Sequence, residues 1–182
     1  LMIGEGIITR FTGGPTTVYG IEPANVGVAS YYRNTIVHFF INKAIIELAL
    51  IAIAEYGDHD LDQQVEALFW AEVLELRDLF KFEFFYPPTE TFQAEISGEL
   101  DRIDASWRQE LATGVKGARR LLAMMTPHVA HMTLQMYVES YSIAADLLAN
   151  LDANEPIDAS GFVDRCMNYG KQALLQRRVS GE

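Results

Sequence analysis

Hydrophobic and polar positions change their period several times along this chain, and each change marks an element. Residues 30–54 (SYYRNTIVHFFINKAIIELALIAIA) are the longest apolar stretch. Polar side chains enter it at intervals of four, at Asn34, His38 and Asn42, which places them in one stripe on a helix flanked by Tyr31 and Thr35. The remaining faces carry Ile36, Val37, Phe39, Phe40, Ile41, Ile45, Ile46, Leu48, Leu50, Ile51 and Ile53. A helix that is apolar on most sides is buried on most sides. The pattern therefore predicts a central helix over residues 35–54, wrapped by the rest of the chain. The polar stripe then needs partners, because an unpaired buried polar group costs roughly 1–3 kcal/mol.

Ahead of that helix, β-branched and aromatic residues 7–11 and 16–19 flank Thr12-Gly13-Gly14-Pro15 and predict a hairpin over 6–20. Gly13-Gly14 lacks the Lys-Ser/Thr of a nucleotide loop and reads as a turn. Pro23 suits a first helical turn, and Tyr56-Gly57-Asp58 ends the central helix. Val65, Leu68, Phe69, Val73, Leu76, Leu79 and Phe80 recur at helical spacing and predict a helix over 61–82. Pro87-Pro88 stops it after a run of aromatics, Phe80 to Tyr86, which reads as core filling ahead of a docking patch. Thr89-Glu90-Thr91 starts another helix, with Phe92, Ile96, Leu100 and Ile103 on one side. Residues 107–125 are broken by Gly114 and Gly117. Thr126-Pro127 reads as an N-cap and first helical position, predicting a helix over 127–150 that packs through Met132, Leu134, Met136, Tyr137, Tyr141, Ala144, Ala145, Leu147 and Leu148. Asp158 or Ser160 caps a last helix over 162–179, with Phe162, Cys166, Tyr169, Ala173 and Leu174 inward. The expected fold is mainly α: a bundle of about five helices around a buried central helix, with a small N-terminal β-hairpin. Residues 1–21 read as the end of a preceding domain and 22–182 as a C-terminal helical domain.

Composition narrows the partners. The 182 residues are 49% hydrophobic and 21% charged, as in a folded globular chain. A net charge of −11 argues against a nucleic-acid partner and against non-specific attraction to anionic lipid. The single cysteine, Cys166, excludes an internal disulfide and a cysteine-based zinc cluster. The opening LMIGEGIITRF lacks the regions of a signal peptide and suggests a piece of a longer polypeptide. His38, Asn42, Lys43 and Glu47 interrupt residues 35–54, and the cleaner run 44–54 is short of the about 20 residues that span a bilayer, so this helix reads as buried within the protein.

Candidate chemistry is sparse. Asp58-His59-Asp60-Leu61-Asp62 opens like a calcium loop, but Gln63 stands at the sixth position and Phe69 at the twelfth. His128 and His131 share a helical face without the further ligands of a zinc or di-iron motif. Lys116, Arg119 and Arg120 read as a cluster balancing nearby acids. No G-x-S-x-G, phosphate loop or dinucleotide fingerprint occurs, and neither a metal nor a cofactor is expected.

The block Tyr31-Tyr32-Arg33-Asn34 followed by His38-Phe39-Phe40 resembles the C-terminal region of bacterial glycerol-3-phosphate acyltransferases of the PlsB type. ITRFTGGPTTVYGIEP upstream and LRDLFKFEFFYPP downstream resemble the same family. The resemblance implies a parent enzyme that moves an acyl group from acyl-CoA or acyl-ACP to the sn-1 hydroxyl of glycerol 3-phosphate, the first step of phospholipid synthesis, at the cytoplasmic face of the plasma membrane. The family's chemistry rests on an H-x-x-x-x-D motif. Here Lys43, Gln64, Thr133 and Met136 stand five residues after the four histidines. The chain is thus expected to be a non-catalytic helical support packing on an upstream catalytic domain, with Tyr31, Tyr32, Arg33, Asn34 and His38 as docking or structural residues. The alternative is a free-standing helical protein-interaction module without enzymatic activity.

Overall fold

A computed structural model describes residues 2–56, 65–151 and 158–180. The calcium-like run 58–62 and Gly57 lie outside the described residues. The hairpin pairs β1 (Ile8–Phe11) with β2 (Val18–Ile21), antiparallel, with Ile8 opposite Ile21 and Phe11 opposite Val18. A 3-10 turn with Pro23 in its first position leads into α1 (Val26–Ile36). A second 3-10 turn (Val37–Phe39) follows, and then α2 (Ile41–Ala54).

The helix expected over 35–54 is therefore divided: its first residues belong to the segment that starts at Pro23, and the two segments meet at a bend of 79°. Ile36 and Phe40 take φ/ψ of −117°/−3° and −107°/−9°, off helical values. The β-branched run Thr35-Ile36-Val37 is a poor helix former, and the bend leaves Asn34 and His38 in solvent instead of forcing them into an apolar bundle. Burial is correspondingly concentrated in the second segment, with only Ala29 and Val37 buried in the first. Ala44, Ile45, Ile46, Ala49, Leu50 and Ile53 are fully buried, whereas Tyr31, Ile36, Phe39 and Phe40 are exposed.

Around α2 pack α3 (Val65–Leu79), α4 (Thr89–Ile103), α6 (Val115–Met124) and a 3-10 turn (His131–Leu134). Each presents one apolar face at helical spacing: Val65, Phe69 and Val73 from α3, and Phe92, Ile96 and Leu100 from α4. Trp107 of α5 (Trp107–Ala112) fills the space beside Phe69 and Trp70, and its indole N–H donates to Asp101 at 2.8 Å. Gly114, at φ +85°, turns the chain from α5 into α6. Gly117 does not break the structure as the sequence suggests. It lies inside α6, where a Cβ would stand 1.6 Å from the Glu110 carbonyl oxygen, so only glycine lets α5 and α6 approach backbone to backbone. The basic cluster divides its work. Arg119 donates to the carbonyls of Ala54 and Tyr56 at the end of α2, and Arg120 binds Glu110 and Thr113.

The C-terminal helices lie further out. α7 (Gln135–Ala149) begins eight residues later than the Thr126-Pro127 signal indicates. Ala130 and Leu134 dip into the core there, and the His131 backbone N–H donates to the buried Glu47 carboxylate at 2.7 Å. That bond fixes the entry to α7 and uses the residues that the capping pattern assigned to helix. No α7 residue is fully buried; Met132, Met136 and Leu148 of the expected packing list are exposed, and Leu134 alone reaches the interior. α8 (Ala159–Leu175) is capped by Asp158, whose carboxylate accepts from the Gly161 N–H at 2.8 Å. Ala173 is buried, whereas Leu174 is exposed. Arg178 links the two helices through Asp146 and Tyr169. Among the described residues no single helix is long and apolar enough to cross a membrane, although the bent pair ending in α2 has the combined length and composition.

Candidate functional site

The polar stripe and the aromatic run, 40 or more residues apart in sequence, converge on one open groove of about 670 Å³. One wall comes from the bend between α1 and α2, with Asn34, His38 and Asn42; the other is the loop after α3, with Glu83, Phe84, Phe85, Tyr86 and Pro87. Tyr137 of α7 and Glu95 of α4 complete it. The bend does not scatter the stripe, because Val37 and Ile41 anchor both segments on the same side.

The loop wall is held from behind. Phe80 is fully buried, and Phe84 sits edge-on to Tyr137 at 5.1 Å. Arg77 donates to the Pro87 carbonyl at 3.0 Å, with its guanidinium 5.7 Å from the Tyr86 ring and 5.6 Å from the Phe92 ring. The run expected as core filling thus divides. Phe80, Phe84 and Tyr86 pack inward, while Phe82 and Phe85 project into solvent. The Tyr86 hydroxyl is buried with no hydrogen-bond partner among the described residues. Burial pushes its pKa well above the usual tyrosine value, and Arg77 offsets only part of that.

The groove is acidic. Asn42 donates to Glu95 at 3.2 Å and Tyr141 to Glu83 at 3.1 Å, so each carboxylate is met by a neutral donor, and no lysine or arginine among the described residues lines the groove. Burial and the Glu83 carboxylate both raise the Tyr141 pKa. The sequence reading singled out neither glutamate. The available signal was a charge at Glu83 inside an otherwise aromatic run.

The predicted site residues separate. Asn34 and His38 face this groove, and the His38 ring lies 3.9 Å from that of Phe39. Arg33 lines a second, smaller cavity of about 220 Å³ with Met136, Glu139 and Ser180, and its guanidinium lies 3.5 Å from the Met136 sulfur. Tyr31 is exposed and meets Tyr32 edge-on at 5.9 Å. The two histidines of the other candidate pair point apart. His128 Nε2 lies 2.7 Å from the Leu122 carbonyl oxygen, and His131 Nδ1 lies 3.2 Å from Glu47. Among the described residues no three His, Cys, Asp or Glu side chains gather in a way that could hold a metal ion.

Residues 1–182 match the family described as the glycerol-3-phosphate acyltransferase C-terminal region. The chain belongs to this family. It is 32% identical over 179 residues to proteins named "Putative acyltransferase plsB1" from Mycobacterium bovis and Mycobacterium tuberculosis. That match covers 98% of this chain but only 28% of the relatives, so the chain spans little more than a quarter of their length. No solved structure matches it. The block Tyr31–His38 thus belongs to a family region that lacks an H-x-x-x-x-D motif here; in this structure Asn34 and His38 line the groove, while Arg33 lines the smaller cavity.

Proposed function

We propose that this chain is the non-catalytic helical support of a glycerol-3-phosphate 1-O-acyltransferase, packing on an upstream catalytic domain of the same polypeptide. The parent would transfer an acyl group from acyl-CoA or acyl-ACP to glycerol 3-phosphate, the first step of phospholipid synthesis, as a peripheral enzyme at the cytoplasmic face of the plasma membrane. Residues 1–21 would close the preceding domain and 22–182 would form the supporting unit. One observation carries the docking role: the segment bearing the family block is exposed and apolar. Tyr31, Ile36, Phe39 and Phe40, together with Phe11, Tyr19 and Ile21 of the hairpin, leave large hydrophobic side chains uncovered on one continuous stretch of chain. Among the described residues the groove beside it offers two carboxylates and no lysine or arginine, a poor match for the phosphate groups of either substrate. In this reading the groove-lining part of the block, Asn34 and His38, meets protein and not substrate.

His38→Ala and Arg33→Ala in the full-length enzyme test this reading. We expect each to lower acyl transfer or the melting temperature of the whole protein. Full activity at an unchanged melting temperature would remove the docking role.

A further inference from the structure

We infer that the groove between the α1–α2 bend and the loop after α3 is the seat of a cationic segment of the catalytic portion, a stretch presenting a lysine or arginine on an apolar stem. This rests on the docking reading above and goes further, in naming the surface and the chemistry of what fills it.

Three features select that occupant. The first is charge. Glu83 and Glu95 both line the groove with only neutral donors bound to them, in a chain of net charge −11. An occupant that neutralises them is favoured over any other. The second is the aromatic lining. Phe84, Phe85, Tyr86 and Tyr137 offer ring faces and edges, which attract a cation and cover the methylene stem that carries it. A bare metal ion would use neither, and the acids do not cluster with a third ligand. The third is the length of chain still to be placed. Relatives carry almost three quarters of their length outside the matched region, ample to supply the segment. Phe85, which lines the groove, is fully exposed, and Phe82 of the same loop nearly so. Side chains of that size left in solvent mark a contact surface.

The test uses the full-length protein with a protease site introduced just ahead of residue 1, cut after purification. Wild-type halves should stay together at low salt and separate as salt rises, because exposed charge pairs are screened. Glu83→Lys with Glu95→Lys should weaken the association about tenfold or more, since like charges then face each other. Glu83→Gln with Glu95→Gln keeps both hydrogen-bond acceptors and should weaken it several-fold with an unchanged melting temperature. This second pair excludes misfolding as the cause. Glu66→Lys with Asp164→Lys changes the net charge equally at exposed residues outside the groove lining, and should leave association as it was. Association that is insensitive to the groove variants, or equally sensitive to the control pair, overturns the groove while leaving the docking reading standing. Wild-type halves that separate at once overturn both.

Discussion

Tyr86 joins the groove to the core. Its ring lies edge-on to Phe92 at 5.4 Å, and its hydroxyl is buried without a partner among the described residues. The folded state therefore resists ionising it, and its pKa is raised. The sign of the consequence follows from linkage. Below pH about 10 both folded and unfolded chains keep the phenol proton, and the shift has no effect on stability. Above it the unfolded chain loses the proton while the folded chain holds it, so stability falls as pH rises. Tyr141 is shifted the same way and contributes to the same alkaline limb. Tyr86→Phe should flatten that limb in urea unfolding at pH about 10–11 and change stability by less than about 1 kcal/mol at pH 7, because no hydrogen bond is lost. A variant with an alkaline limb as steep as wild type would mean that the hydroxyl is not buried in solution. Glu47 differs: its whole side chain is buried, and one carboxylate oxygen accepts from the His131 backbone N–H, so burial there fixes a chain position.

At the scale of elements, what the sequence made legible was the apolar face of each helix. Val65/Phe69/Val73 and Phe92/Ile96/Leu100 are buried as their spacing required, and the hairpin stands where its turn residues placed it. The breaks were harder to read. Nothing in hydrophobic content separates residues 30–40 from 41–54, because exposed Phe39 and buried Ile41 are equally apolar; the difference lies in what surrounds them. Thr126-Pro127 carried a strong local helix-start signal that lost to a long-range bond from residue 131 to residue 47. The groove was half legible: the Asn34/His38/Asn42 stripe was visible, while the two glutamates that join it needed the fold to bring them near. Arg119 shows how an apparent surface charge becomes structural. Its guanidinium reaches the carbonyls of Ala54 at 2.9 Å and Tyr56 at 3.2 Å, where the last turn of α2 has no helical donors left. Arg119→Ala should cost about 1–2 kcal/mol in chemical denaturation, with Arg119→Lys recovering part of it. A loss no larger than that of Lys116→Ala, a neighbouring exposed cation, would show that the cap contributes nothing.

For the whole molecule, burial is graded outward from α2. The helices around it share fully buried side chains, whereas α7 buries none, α8 buries only Ala173, and the hairpin with α1 is largely exposed. Opening free energy follows buried contact, so the backbone should exchange in that order. In native-state hydrogen exchange on the described chain, amides of α2, α4 and α6 should be the slowest and track global unfolding. Those of α7 and α8 should open at lower free energy, and those of the hairpin and α1 lower still. Docking onto a catalytic portion would change this order selectively. The arm and the groove loop are the segments with the most uncovered apolar surface, so they stand to gain the most protection in the full-length protein, while α2 is already limited by the core. Equal protection gained everywhere would point to global stabilisation by a distant linkage. A gain confined to α7 and α8, with none in α1 or the loop after α3, would move the interface off the groove.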